Sequence, residues 1–230
     1  MREIALDTET TGLDPFSGHK IVEIGCVEMI NQIKTGEVFH VYLNPRRDMP
    51  EEAYKVHGLS SEFLADKPLF EEVASDFMAF VKDSNLVIHN AEFDMKFINA
   101  ELAAIGREEI PMDRAVDTVK MARKKFPGSP ANLDALCRRF DIDLSARTLH
   151  GALLDAELLA DVYLELTGGR QSGLTLADEA ESAAKTGIHK RTERLEPREF
   201  PATAEELLQH AIFLKKLKNP LWVEPESEDA

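Results

Sequence analysis

Basic residues are in short supply. Lys and Arg number 27 against 42 Asp and Glu, a formal net charge of −15. That excludes a protein gripping nucleic acid with a broad cationic surface, because neutralising phosphates takes Lys and Arg. It does not exclude an enzyme whose carboxylates hold divalent cations. Cysteine is scarce as well. Cys26 and Cys137 stand far apart in apolar surroundings. They show neither zinc-ligand spacing nor a disulfide framework, and read as reduced, buried thiols of a cytoplasmic protein. No run of about 18 apolar residues occurs, so no membrane span is expected. The opening MREIALD enters a strand pattern at once, without the basic and then apolar leader of a signal peptide.

What is present suits one α/β domain with an appendage: 230 residues, 43% of them hydrophobic, enough for a core. REIALDTET, Lys20–Ile30 and Glu37–Pro45 read as three strands. With turns at Gly18 and KTGE they make an antiparallel meander. Phe70–Ser84 carries Val73, Phe77, Phe80 and Val81 at helical spacing. Asn85–Ala91 is a short apolar strand, followed by a helix with Phe93, Phe97, Ile98 and Leu102 inward and Gly106 at its end. AVDTVKMARKKF reads as a strand into a helix, and ANLDALCRRFDI as a helix starting near Asn132. GALLDAELLADVYLELTGG is a strong helix, with Leu154, Leu158, Val162 and Leu166 inward and Thr167–Gly169 ending it. The expected fold is a mixed five-stranded sheet flanked by helices over residues 1–169. Residues 170–200 are polar and read as a linker. Residues 201–230 recover a helix, with Thr203 and Glu206 as a capping box. Leu207, Ile212, Leu214 and Leu217 are apolar on it, Trp222 lies beyond it, and an acidic tail follows. A lone amphipathic helix cannot bury its own face, so it must dock.

Two carboxylates, Asp7 and Glu9, interrupt an otherwise buried strand in IALDTETTGL. Residues two apart on a strand share a face, so Thr8 points the other way. Two carboxylates about 4 Å apart repel by roughly 4 kcal/mol at an effective dielectric near 20, and a divalent cation reverses that sign. Hard oxygen ligands without thiolates favour Mg²⁺ or Mn²⁺. HNAEFDMKF places Asp94 just inside a helix that follows a buried strand, and HGALLDAEL puts His150 and Asp155 at the start of the last domain helix. Taken singly, each has a bland explanation as a solvated strand end, a first-turn acid favoured by the helix dipole, or a surface charge. Their joint order and spacing do not.

DTETTG (Asp7–Gly12), HNAEFD (His89–Asp94) and HGALLDA (His150–Ala156) together resemble the DEDDh family of 3′→5′ exonucleases, of ribonuclease-H-like fold. The likeness covers about residues 3–168. VHGLS, ALLDAELLADVYLELTGG and the tail narrow it to the branch that proofreads bacterial DNA synthesis. The resemblance implies two cations, Mg²⁺ or Mn²⁺, held by Asp7, Glu9, Asp94 and Asp155, with His150 as general base. It implies a 3′-terminal nucleotide met by Thr10, Thr11, Gly12, Leu13, Glu52 and His57, and supporting roles for His89 and Asn90. QSGLTL (Gln171–Leu176) resembles the peptide that docks replicases on a sliding clamp, with Gln171, Leu174 and Leu176 as anchors. The Thr203–Leu217 helix and Trp222 would bind the polymerase catalytic subunit. Two other readings stay open: a stand-alone enzyme trimming RNA or DNA 3′ ends, and a non-catalytic replicase subunit with a relic site. The complete set of four carboxylates and His150 speaks against the relic.

Overall fold

The computed structural model describes residues 1–145, 149–169 and 201–218, in two units, Met1–Leu174 and Thr175–Ala230. The first is built on β1 (Arg2–Thr10), β2 (Ile21–Ile30), β3 (Ile33–Tyr42), β4 (Asn85–Ile88) and β5 (Ala115–Asp117), in spatial order β3-β2-β1-β4-β5. β1 to β3 form the expected antiparallel meander, and β4 and β5 continue the sheet in parallel with β1.

Two boundaries differ from expectation. The β2–β3 turn is Asn31–Gln32, with φ of 51° and 67°, the left-handed pair that a two-residue hairpin needs. KTGE lies inside β3 instead, which therefore starts at Ile33 and stops at Tyr42. β4 ends at Ile88 because Asn90, at φ 70°, turns the chain into the next helix; Asn tolerates that conformation better than most residues. The stretch after Pro50 forms α1 (Glu51–His57) and α2 (Ser61–Leu64), α1 with acids in its first turn and Lys55 and His57 in its last, as the helix dipole favours.

The sheet is covered on both sides. Ile4 and Leu6 of β1 pack with Phe77 of α3 (Phe70–Val81) and with Met95, Phe97 and Ile98 of α4 (Ala91–Ala104). Ala5 faces the other way, into a cluster with Val87 and the helices α5 (Thr118–Lys125), α6 (Leu133–Arg139) and α7 (Ala152–Leu166). Leu158, Val162 and Leu166 of α7 are buried and Leu154 is half-buried. This alternation continues along β1, so Asp7 and Glu9 belong to the α7 face and Thr8 to the α4 face.

One glycine sets how close α7 comes. Gly25 of β2 pairs directly with Asp7. A Cβ there would lie 2.3 Å from the backbone of Ala152 and Leu153, so the first turn of α7 rests on bare backbone beside Asp7. Cys26 and Cys137 are buried thiols outside any disulfide. Among the described residues no helix is long and apolar enough to cross a membrane.

In the second unit, Thr203 accepts from the Glu206 N–H at 3.3 Å and Glu206 accepts from the Thr203 N–H at 2.7 Å. This is the expected capping box, opening α8 (Ala204–Leu214). Leu207, Leu208, Ile212, Phe213 and Leu217 are exposed. The linker 170–200, with Gln171, Leu174 and Leu176, and the tail 219–230, with Trp222, lie outside the described residues.

Candidate active site

The carboxyl end of β1 gathers side chains from both faces of the sheet. Glu9, Asp94 and Asp155 are each buried. Ligand atoms of Glu9, His150 and Asp155 all lie within 4.8 Å of one another. Asp155 sits in the first turn of α7, where its N–H bonds the Gly151 carbonyl at 2.9 Å. His150 stands just before that helix, its backbone N–H donating to Val56 of α1 at 3.2 Å. Its Nδ1 lies 3.1 Å from an Asp155 oxygen. An ionised carboxylate can only accept, so Nδ1 carries the proton, and the neutral form of this imidazole has its lone pair on Nε2.

Asp94 reaches the site from the opposite face. Its Oδ1 accepts from the Thr8 N–H at 3.0 Å and from the Thr8 hydroxyl at 2.7 Å. Burial pushes Asp94 up to about 7 against the pull of those bonds. Asp7 feels acids from both sides of the sheet. Burial first, and then the charges of Asp94, Glu9, Asp155 and Glu23, push its carboxyl well above the usual range. So many acids raising one another's pKa make a site short of positive charge. The donors are carboxylate oxygens and one imidazole, without thiolate, which fits a hard divalent cation. The trio within 4.8 Å includes His150, expected as a base, and does not include Asp7 or Asp94.

The expected substrate residues Thr10, Thr11, Gly12, Leu13, Glu52 and His57 all line one chamber, of about 590 Å³, together with Glu9 and Phe93. His57 Nδ1 accepts from the Leu59 N–H at 3.0 Å, which leaves the proton on Nε2. That Nε2 is buried with no hydrogen-bond partner, and burial pushes the His57 pKa down. His57 is thus a neutral donor without a well-formed hydrogen bond, drawn toward the Thr10 backbone. Leu13, 83% exposed, stands at the mouth. The second chamber, of about 440 Å³, is lined by Asp7, His89, Asn132, Arg138, His150 and Asp155, among others. His89 Nδ1 meets the Thr118 hydroxyl at 2.9 Å, which ties the end of β4 to α5.

Sequence reasoning missed Thr8, Gly25 and Glu23. Glu23 is buried, pairs across the strands with Glu9, and accepts from His40 Nε2 at 2.8 Å. All three matter through strand register, which no local pattern encodes.

Fold and site define a divalent-metal-dependent nuclease. The sequence model of an exonuclease family, RNase_T, matches residues 4–163, and the chain belongs to that family, as an enzyme of the DEDDh type. It is 55% identical to the DNA polymerase III subunit epsilon of Rickettsia felis, over 94% of this chain and 97% of that one. It is 46% identical to the subunit of the same name from Escherichia coli, over 96% and 97%. Among solved structures it resembles Exonuclease X in complex with 5′ overhanging duplex DNA, with TM-score 0.56 and 27% identity over 72% of this chain and 90% of that one. It also resembles the nuclease domain of 3′hExo, a DEDDh family member bound to rAMP, with TM-score 0.62 and 17% identity over 72% and 90%. This second likeness speaks for the fold alone.

Gly25→Ala tests how the site is set. The added methyl must push the first turn of α7 outward, carrying Asp155 away from Asp7. A misplacement of about 1 Å can cost about 10²-fold in rate, and overpacking costs about 1–3 kcal/mol. Primer hydrolysis and thermal melting of the variant are expected to show both losses. Wild-type activity in Gly25→Ala would mean that α7 is not seated by this contact.

Proposed function

We propose that the chain removes nucleotides one at a time from the 3′ end of a DNA strand, releasing 5′-mononucleotides, and so proofreads synthesis as the epsilon subunit of a bacterial DNA polymerase III in the cytoplasm. The observation that carries this reading is one carboxylate-and-histidine centre between a nucleotide-sized chamber with an unmet buried donor and a second open chamber.

Asp7, Glu9 and Asp155 would hold one divalent cation, and Asp7 with Asp94 a second, each Mg²⁺ or Mn²⁺. When bound, such ions lower the pKa of an attacking water and stabilise the leaving 3′ oxygen. The protein's own groups do the rest. The first chamber takes the terminal nucleotide, with Leu13 and Phe93 as apolar walls and His57 Nε2–H as a donor to one of its oxygens. Glu52 and Thr10 line the same space. His150 Nε2 takes the water's proton, while Asp155 holds Nδ1–H and fixes the tautomer. Thr8 holds Asp94 in place through two bonds.

Selectivity for errors follows from access. The terminal nucleotide must leave its template to enter the chamber, and unpairing costs least at a mismatch. The domain 1–169 would be tethered by the linker 170–200, which keeps it at high effective concentration beside its polymerase. Gln171, Leu174 and Leu176 would dock on the sliding clamp. The exposed apolar residues of α8, with Trp222, would bind the polymerase catalytic (alpha) subunit.

The test is hydrolysis of an end-labelled primer with a 3′ mismatch. Stepwise loss of single nucleotides from the 3′ end is expected with Mg²⁺ or Mn²⁺. It should stop with EDTA and run faster on mismatched than on paired ends. Cleavage inside the strand, or activity that survives EDTA, would rule the reading out.

A further inference from the structure

A 3′ exonuclease must hold two things at once: the nucleotide it removes and the strand it leaves behind. The 590 Å³ chamber lies toward α1 and the segment after β1 and takes the first. The 440 Å³ chamber lies on the other side of the β1 end, where β4, α6 and α7 meet. Its polar wall is formed by Asn132 and Arg138. Arg138 is exposed and only loosely paired, its guanidinium 3.9 Å from Asp134. Asn132 uses its Oδ1 to cap α6, accepting from the Ala135 N–H at 2.8 Å, so its amide hydrogens remain as donors. Leu133 adds an apolar surface.

The surroundings of this chamber depart from the rest of the chain. Residues 118–139, which form α5 and α6, hold Lys120, Arg123, Lys124, Lys125, Arg138 and Arg139 against one acid, Asp134, in a chain of net charge −15. All six basic side chains belong to exposed residues. A strand leaving a cluster of carboxylates needs cations where it emerges, and this is where the chain places them.

We propose that the second chamber seats the nucleotide on the 5′ side of the scissile bond, with Arg138 on its phosphate and the α5–α6 basic face along the strand beyond. The inference rests on the exonuclease reading above. Arg138 holds the continuing strand and takes no part in the chemistry.

The experiment compares two substrates on the full chain with Mg²⁺. The p-nitrophenyl ester of thymidine 5′-monophosphate offers only the terminal nucleotide and the bond to be broken, whereas a single-stranded oligothymidylate also fills the second chamber. For Arg138→Ala the oligonucleotide-to-ester ratio of kcat/KM is expected to fall about 10-fold. The salt dependence on the oligonucleotide should become shallower by about 0.7 in the log–log slope, the share of one single-strand phosphate contact. Arg138→Lys should restore most of the ratio. An unchanged ratio, whether both substrates fall together or neither does, overturns the assignment. A wild-type protein that hydrolyses neither substrate overturns the exonuclease reading itself, which is a different result.

Discussion

Asp7→Asn is expected to lower kcat on a mismatched primer by at least about 10³-fold and, in the same protein, to raise the stability of the metal-free form. The two effects have one cause. Asp7 stands at the centre of the acids, where Asp94, Glu9, Asp155 and Glu23 all push its pKa up. In the proposed two-cation arrangement Asp7 would serve both ions, and losing it would remove several kcal/mol of charge stabilisation from the transition state. Without cations the convergence is only repulsion. Asn keeps the shape and removes the charge, as protonation would. At pH 8 the relief should reach about 1–3 kcal/mol, a melting shift of roughly 2–4 °C per kcal/mol for a chain of this size. The gain should shrink as pH falls, because the raised pKa of wild-type Asp7 lets it take up its proton in the folded state. A variant that loses both stability and activity would show that Asp7 is held by packing rather than by charge. Near-normal activity would remove Asp7 from the centre altogether.

This conflict between function and stability is also why the site could be read in the sequence. Asp7 and Glu9 are legible because charge does not belong in a central strand. His150 and Asp155 are legible because five residues of spacing bring a helix-start histidine beside a first-turn acid. The meander, the crossover helices and the capping box at Thr203 follow from periodicity and end signals. The remainder depends on register. Thr8 reads as facing away from its neighbours, and it does; what no local pattern says is that a helix from the other face brings Asp94 to it. Gly25 reads as an ordinary strand glycine until the pairing places it opposite Asp7, under the α7 backbone. The helix α1 was hidden because a short helix after Pro50 has few turns in which to show a period. The basic face of α5 and α6 was hidden by the overall charge of −15, which conceals a local excess of the opposite sign.

The stability of the metal-free protein is expected to fall as pH rises from about 6.5 to 8, and added Mg²⁺ should reverse the trend. Asp94 keeps its proton in the folded chain up to about pH 7, whereas its ordinary value is 3.8. Between those values the folded state binds more protons than the unfolded state, so stability drops as pH increases. Asp7, pushed well above 3.8, acts in the same direction. Together the two groups make the metal-free protein less stable at pH 8 than in acid. His57 works the other way: its lowered pKa destabilises the fold as pH falls below its unfolded value of about 6.5. The window above 6.5 therefore isolates the carboxylates. A divalent cation binds only the ionised acids and releases their protons. At 100 times its Kd it stabilises by about 2.7 kcal/mol, and it competes with fewer protons at pH 8 than at pH 6.5. Melting curves at the two pH values, each with EDTA and with Mg²⁺, decide the matter. The Mg²⁺ shift should be larger at pH 8, and the EDTA curve lower there. An EDTA melting point that is flat or rising across this window, or a Mg²⁺ shift equal at both ends, would mean that Asp7 and Asp94 are already ionised without metal. The repulsion that marks this site as a cation centre would then be absent.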